Sequence, residues 1–185
     1  MTASAHAAVH LAQLNVATLR HPLDDPRVAP FVELLDPVNA SADDAPGFVW
    51  RLVEEGAADA TGLRPAGENV IITMSVWETQ EALWEFTYRS GHLEAMQRRR
   101  EWFERHVEAY LVLWWVPAGH LPTVDEAMER LAELRANGPS HRAFTFASSY
   151  PAAEAAQHLQ AASSAPSEQA ARDSRPSPAG DAAAV

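Results

Sequence analysis

Two runs in this sequence are apolar on both parities: Asn69 to Trp77 (NVIITMSVW) and Tyr110 to Val116 (YLVLWWV). Their β-branched and aromatic residues favour strands. Side chains of a strand alternate between the two faces of its sheet, so strands of this kind need cover on both. The elements around them read in order. Val9 to Thr18 (VHLAQLNVAT) alternates as a strand, and Phe48 to Glu54 (FVWRLVE) is another. Helical spacing of Val28, Phe31, Val32, Leu34, Leu35 and Val38 predicts a helix over 24–39, started at Asp25-Pro26 and shortened or kinked by Pro30 and Pro37. Glu78 to Arg89 reads as a helix with Thr79 as N-cap, and His92 to Val107 resumes helical spacing after Ser90-Gly91. Thr123 caps a helix over 124–136 that Gly138-Pro139 ends, and Phe144 to Phe146 adds an edge strand.

The order strand, helix, strand, strand, helix, strand, with an extra C-terminal helix, predicts an α+β fold. Its plan is the ferredoxin-like βαββαβ antiparallel sheet with helices on one face. The other face then needs a cover, and a second copy packed sheet against sheet supplies one, so a homodimer is expected.

Composition changes after Tyr150. Residues 151–185 are mostly Ala, Ser and Pro without an aromatic residue, and read as a disordered tail in which only Ala152 to Ala162 has helix-forming composition. The expected organisation is a flexible 1–8, a single domain over 9–150 and that tail. The balance of 14 basic against 25 acidic residues, net charge -11, argues against nucleic-acid or anionic-membrane partners. With no Cys there is no disulfide or thiolate chemistry, and all 14 basic residues are Arg, which removes Schiff-base and P-loop lysines. The N-terminal residues lack a signal-peptide pattern and no apolar window reaches membrane-helix length, so a cytoplasmic location is expected. No GxSxG, GxGxxG, P-loop, HxH or HExxH pattern occurs, and no metal site is expected.

Val76 to Trp84 (VWETQEALW), followed by Ser90 to His92 (SGH), resembles the signature region of the dimeric α+β barrel superfamily. That superfamily includes antibiotic-biosynthesis monooxygenase-like proteins and haem-degrading monooxygenases. His10 to Arg27, Pro46 to Leu52, Tyr88 to Phe103 and Leu111 to Thr123 are similar to an uncharacterised bacterial family within it, over residues 9 to 147. The resemblance implies a dimeric α+β barrel with a ligand cavity between the sheet and its helices.

In such a barrel the polar residues on inner strand faces are the first candidates. Gln13 and Asn15 share a parity, and a carboxamide can hold a ligand carbonyl or an enolate oxygen without adding charge. The haem-degrading relatives use an Asn on the first strand and a Trp and axial His on the second long helix. Asn15, Trp84 and His92 fall near that pattern, with Trp84 half a turn early and His92 at a helix restart. An imidazole at a helix N-terminus favours its neutral form, which suits a general base. Trp84, Tyr88 and His92 recur at i, i+4, i+8, either as a binding stripe or as core. Trp50 and Trp77 are further candidates to position a planar ligand, and Trp114 and Trp115 point to opposite faces, one to the cavity and one to a partner copy. Arg51 interrupts an apolar strand and could anchor a carboxylate, and His120 sits in a loop past the fourth strand. The run Arg98 to Arg100, with Arg89 and Arg105, could steer a carboxylate ligand, or it reads as a solvated helix face with Glu94–Arg98 and Glu101–Arg105 pairs.

The expected function is a monooxygenase-like, cofactor-independent enzyme acting on a hydrophobic, aromatic substrate in a Trp-lined cavity, of a kind found in secondary metabolism. Asn15 and His92 would be catalytic; Gln13, Trp50, Arg51, Trp77, Trp84, Tyr88, Trp114 and His120 would bind substrate. The alternatives are a haem-binding protein or haem-dependent monooxygenase, and a dimer that binds a small ligand without turnover.

Overall fold

The computed structural model describes residues 8–89, 92–105 and 107–164, and of residues 92–95 and 162–164 the backbone only. The elements are β1 (Val9–Thr18), α1 (Ala29–Asp43), β2 (Phe48–Arg51), β3 (Val70–Trp77), α2 (Gln80–Arg89), α3 (His92–Trp102), β4 (Leu111–Pro117), α4 (Val124–Asn137) and α5 (Ala152–Ser164). The strands form one antiparallel sheet in the order β2-β3-β1-β4. This is the split βαβ plan expected from the element order.

β1 is central, paired with β3 on one side and β4 on the other. Its residues Ala12, Leu14 and Val16 share a face with Ile72, Met74, Val76, Val112, Trp114 and Val116, and all are buried. The cover over this face is α4, which contributes Ala127, Leu131 and Leu134. The chain's own extra helix thus covers this face within one subunit. Local chemistry holds α4 in place. The Thr123 side chain accepts from the Glu126 N–H at 3.2 Å, Gly138 ends the helix at φ 74°, and Trp114 Nε1 donates to Glu126 Oε1 at 3.0 Å.

The opposite face is divided. At one end Leu11, Trp77, Leu113 and Trp115 are buried beneath Leu83 of α2, Phe144 and Ala155 of α5. At the other, Leu19 and Ile71 pack with Val28, Phe31 and Phe103. Between the two clusters the sheet presents polar residues, and α1 passes over them with Phe31, Leu34, Leu35 and Val38 only half-buried.

Several boundaries differ from those read in the sequence. α1 begins at Ala29 because Asp25 closes a turn instead, its carboxylate accepting from the Arg27 backbone N–H at 2.9 Å. Pro30 is then accommodated in the first turn, where its missing N–H is no loss. α3 stops at Trp102 rather than Val107, since the chain there joins the end of β1: Arg20 N donates to Trp102 O, and Glu104 N to Thr18 O. The Glu101–Arg105 helical pair is therefore not formed, and Glu101 pairs with Arg98 at 3.0 Å. Phe144 makes an isolated bridge to Leu113 in place of a strand over 144–146. Residues 152–164, assigned by composition to the tail, form α5 and bury Ala155 and Ala156. Its alanines allow close approach to the sheet without any large side chain, and Trp115 Nε1 donates to Tyr150 O at 2.8 Å just before it. Residues 1–7 and 165–185 lie outside the described residues.

Since α4 seals one sheet face, truncating its central side chain should be felt globally. Leu131→Ala is expected to lower unfolding free energy by roughly 2–5 kcal/mol in urea denaturation, and Thr123→Ala by about 1 kcal/mol.

Candidate functional site

The polar stretch between the two apolar clusters follows from register. Gln13 lies opposite Ser75 and Asn15 opposite Thr73 on the antiparallel pair β1–β3, so four polar side chains form a rectangle on one face. They floor a cavity of about 230 Å³ roofed by α1, α2 and α3. An apolar cavity of ~150 Å³ takes benzene, so the space suits a body of one or two rings. The walls are largely apolar: Leu34 and Val38 from α1, Leu83 and Phe86 from α2, Met96 and Trp102 from α3, and Phe146.

The floor residues differ in how their polar atoms are used. The Ser75 hydroxyl oxygen accepts from Gln13 Nε2 at 3.1 Å and from Trp77 Nε1 at 2.8 Å. Both lone pairs are taken, and the hydroxyl hydrogen is left as the donor it can offer to the cavity. Asn15 and Thr73 border the same space, and no side-chain hydrogen bond engages either among the described residues. Thr73 is exposed although it sits in the interior of β3, because the cavity is open above it. On the far side Tyr88, Arg99, Glu104 and Tyr110 complete the wall, with Arg99 Nη1 donating to Tyr110 Oη at 3.1 Å.

Of the residues singled out in the sequence, Gln13, Asn15 and Tyr88 meet in this cavity. The tryptophans do not line it as expected. Trp50 packs with the cluster on the α4 face, and Trp114 lies under α4 itself. Trp77 is on the cavity face but enclosed between Phe48 and Phe86, lying behind the wall residue Phe86 and the floor residue Ser75. Trp84 is turned outward, 42% exposed, with its ring 4.2 Å from that of Tyr88. Trp114 and Trp115 do point to opposite faces, yet Trp115 meets Phe144 and Tyr150 of its own chain and not the cavity. Among the described lining residues the tryptophan present is Trp102, which had not been selected. Arg51 binds Asp43 at 2.8 Å and the carbonyl of Ala58 on the outer surface. His120 contacts Glu126 at 2.7 Å in the loop before α4, away from the cavity. His92 opens α3, but its side chain lies outside the described residues.

Signals for the missed residues were present. Thr73 and Ser75 interrupt an apolar strand with the parity of Trp77, and Met96 and Arg99 share one face of α3 at i, i+3, with Phe103 just past its end. What periodicity could not show is that this face borders a void.

The family model described as domain of unknown function (DUF3291) matches residues 10–161. The chain belongs to the DUF3291 family. The matched span runs from the second residue of β1 into α5, so the helix assigned to the tail by composition falls inside the family domain. No curated protein matches the sequence. Among solved structures, the DUF3291 chain is similar to SnoaB, a cofactor-independent oxygenase from Streptomyces nogalater, at 16% identity and TM-score 0.42, covering 62% of this chain and 97% of that one. It is similar to Rv0793 from Mycobacterium tuberculosis at 14% identity and TM-score 0.42, covering 62% and 98%. The monooxygenase of ActVA-Orf6 from Streptomyces coelicolor, in complex with Nanaomycin D, matches at 13% identity and TM-score 0.33, covering 64% and 95%.

Ser75 is the hub of the cavity floor, and its removal tests the wiring of this DUF3291 site. Ser75→Ala leaves the Gln13 and Trp77 donors without their acceptor and is expected to lower unfolding free energy by roughly 1–3 kcal/mol. Chemical denaturation of the two proteins measures the difference; equal stability would show that the hydroxyl is not the acceptor of these donors.

Proposed function

We propose that this DUF3291 protein is a small-molecule enzyme of the monooxygenase-like, cofactor-independent kind, acting on a compact hydrophobic, aromatic substrate. The observation that carries the reading is the uncharged amide and hydroxyl floor, Gln13, Asn15, Thr73 and Ser75, set into an otherwise apolar cavity. Such a floor can hold an oxygen on which negative charge develops, since a fixed N–H or O–H donor favours the anion over its neutral precursor. In the proposed reaction a substrate carbon acid loses a proton, and the resulting carbanion supplies the electrons to dioxygen. A CH2 group becomes a carbonyl and the second oxygen atom leaves as water. Asn15 Nδ2 would hold the enolate oxygen, Gln13 and Ser75 would fix its neighbour, and Tyr88 and Trp102 would position the ring. His92 is the proposed base, at the first position of α3.

A haem-dependent reading finds less support. It would rest on His92 alone, since the described lining residues include no His. A protein that binds its ligand without turnover is the second reading, favoured by a floor of Gln13, Asn15, Thr73 and Ser75 that carries no acid or base.

Oxygen uptake with one- and two-ring phenols and naphthols distinguishes the two. Turnover is expected in the wild type, with Asn15→Ala lowering kcat by roughly 10²–10³-fold at little change in KM. Binding of these compounds with no oxygen consumption would sink the enzyme reading and leave the binding one.

A further inference from the structure

At its open end the cavity leads into a wide mouth bordered by Arg20, Arg99, Arg100 and Arg105. Met96, Arg99, Phe103, Glu104 and Tyr110 border both spaces, so the two adjoin. This grouping stands out against the rest of the surface. Elsewhere the described arginines sit on carboxylates, as Arg51 does on Asp43 and Arg142 on Glu133. Arg64, which has no carboxylate within 4.0 Å, donates instead to the backbone carbonyls of Glu68 and Leu63. The four at the mouth have no carboxylate partner among the described residues, in a chain where acidic residues outnumber arginines 25 to 14. Glu104 borders the same opening without forming an ion pair to any of them, and the local balance stays positive.

Two of these cations are held in place. Arg20 Nε donates to Phe103 O at 3.0 Å, and Arg99 lies 4.8 Å from the Tyr110 ring centroid while donating to its hydroxyl. Each bond uses one donor of a guanidinium that has five, and the remaining N–H groups are pre-oriented. Arg100 and Arg105 are exposed.

We propose that the ligand of this cavity is an organic anion whose one- or two-ring apolar body occupies the cavity and whose carboxylate or phosphate group is bound by Arg20, Arg99, Arg100 and Arg105 at the mouth. The proposal rests on the cavity being a ligand site and not on the oxygenase chemistry. The anionic group orients the molecule, placing its far end over Asn15 and Thr73. A bulk charge of -11 repels anions at long range, so a local cluster is what admits one.

The test is binding followed by intrinsic tryptophan fluorescence and calorimetry, using 2-naphthoate, 2-naphthyl phosphate and the neutral 2-naphthamide. At low salt at least one anion should bind about tenfold or more tighter than the amide. Whichever binds tighter, naphthoate or naphthyl phosphate, identifies the head group. Raising the salt to about 0.5 M should weaken the anion and leave the amide unchanged, because exposed charges are screened. The Arg100→Gln/Arg105→Gln variant, altered only at exposed positions, should lose most of the preference while binding naphthamide as before. Equal affinity of all three compounds would overturn the anion proposal and leave the cavity as a ligand site. Failure of all three to bind would overturn both. An anion preference that persists in the double variant at high salt would also overturn it, since the preference would then arise elsewhere.

Discussion

The pleat of one central strand organises this molecule. β1 is flanked on both sides, so each of its residues is committed to one face of the sheet with no edge to escape to. Its even residues, Ala12, Leu14 and Val16, are apolar and sealed by α4. Its odd residues change character along the strand: Leu11 lies in one apolar cluster, Gln13 and Asn15 follow, and Ala17 lies against another. The register with β3 doubles that change by setting Ser75 and Thr73 opposite the two carboxamides. The cavity is the volume above the polar segment that apolar side chains of α1 cannot fill without stranding those groups away from partners.

This arrangement separates stability from binding. Burial is concentrated under α4 and α5 and at the two ends of the cavity face, while the middle keeps polar atoms unspent. α1 illustrates the consequence: of its residues only Ala42 is buried, and its apolar face looks onto open space. Apart from Phe31, which packs on Trp102 and Phe103, the helix contributes little packing energy, and its Leu34 and Val38 are free to meet a ligand instead. The aromatic residues follow the same division. Trp77, Trp114 and Trp115 are structural, each buried with its indole N–H satisfied by Ser75, Glu126 or Tyr150, as buried tryptophans require.

Much of the fold was legible from the sequence because its signals are local. β1 runs from Val9 to Thr18 as alternation predicts, and Thr79 and Thr123 cap α2 and α4, their hydroxyls accepting from Ala82 and Glu126. The family assignment agrees with the resemblance read from the motifs. Features that depend on which element meets which were less accessible. The both-face apolarity of β3 and β4 correctly demanded a second cover, but two sources can meet that demand, a second copy or a later helix, and spacing does not choose between them. The helical composition of α5 was read, but its packing was missed for a related reason. Ala-rich composition gives weak intrinsic evidence of packing, and the contact that matters is made by methyl groups at Ala155 and Ala156 against a surface the local sequence does not contain.

The site was legible in its floor and not in its walls, and charge explains part of the gap. Gln13 and Asn15 stand out because polar residues in an apolar strand are anomalous. Arg99 is not separable from its neighbours in the sequence, because the basic run reads either as carboxylate-steering or as a solvated face. Its role is set by the end of α3: once Trp102 is buried against Phe31 and Phe103 bridges to Leu19, the face of α3 carrying Met96 and Arg99 must turn towards the void. Arg98, one position away, stays on the surface with Glu101. A 100° step around one helix thus separates a surface ion pair from a guanidinium held at the mouth of the cavity. The basic run is accordingly two structures at once, and only the one lacking a carboxylate is positioned to recognise an anion.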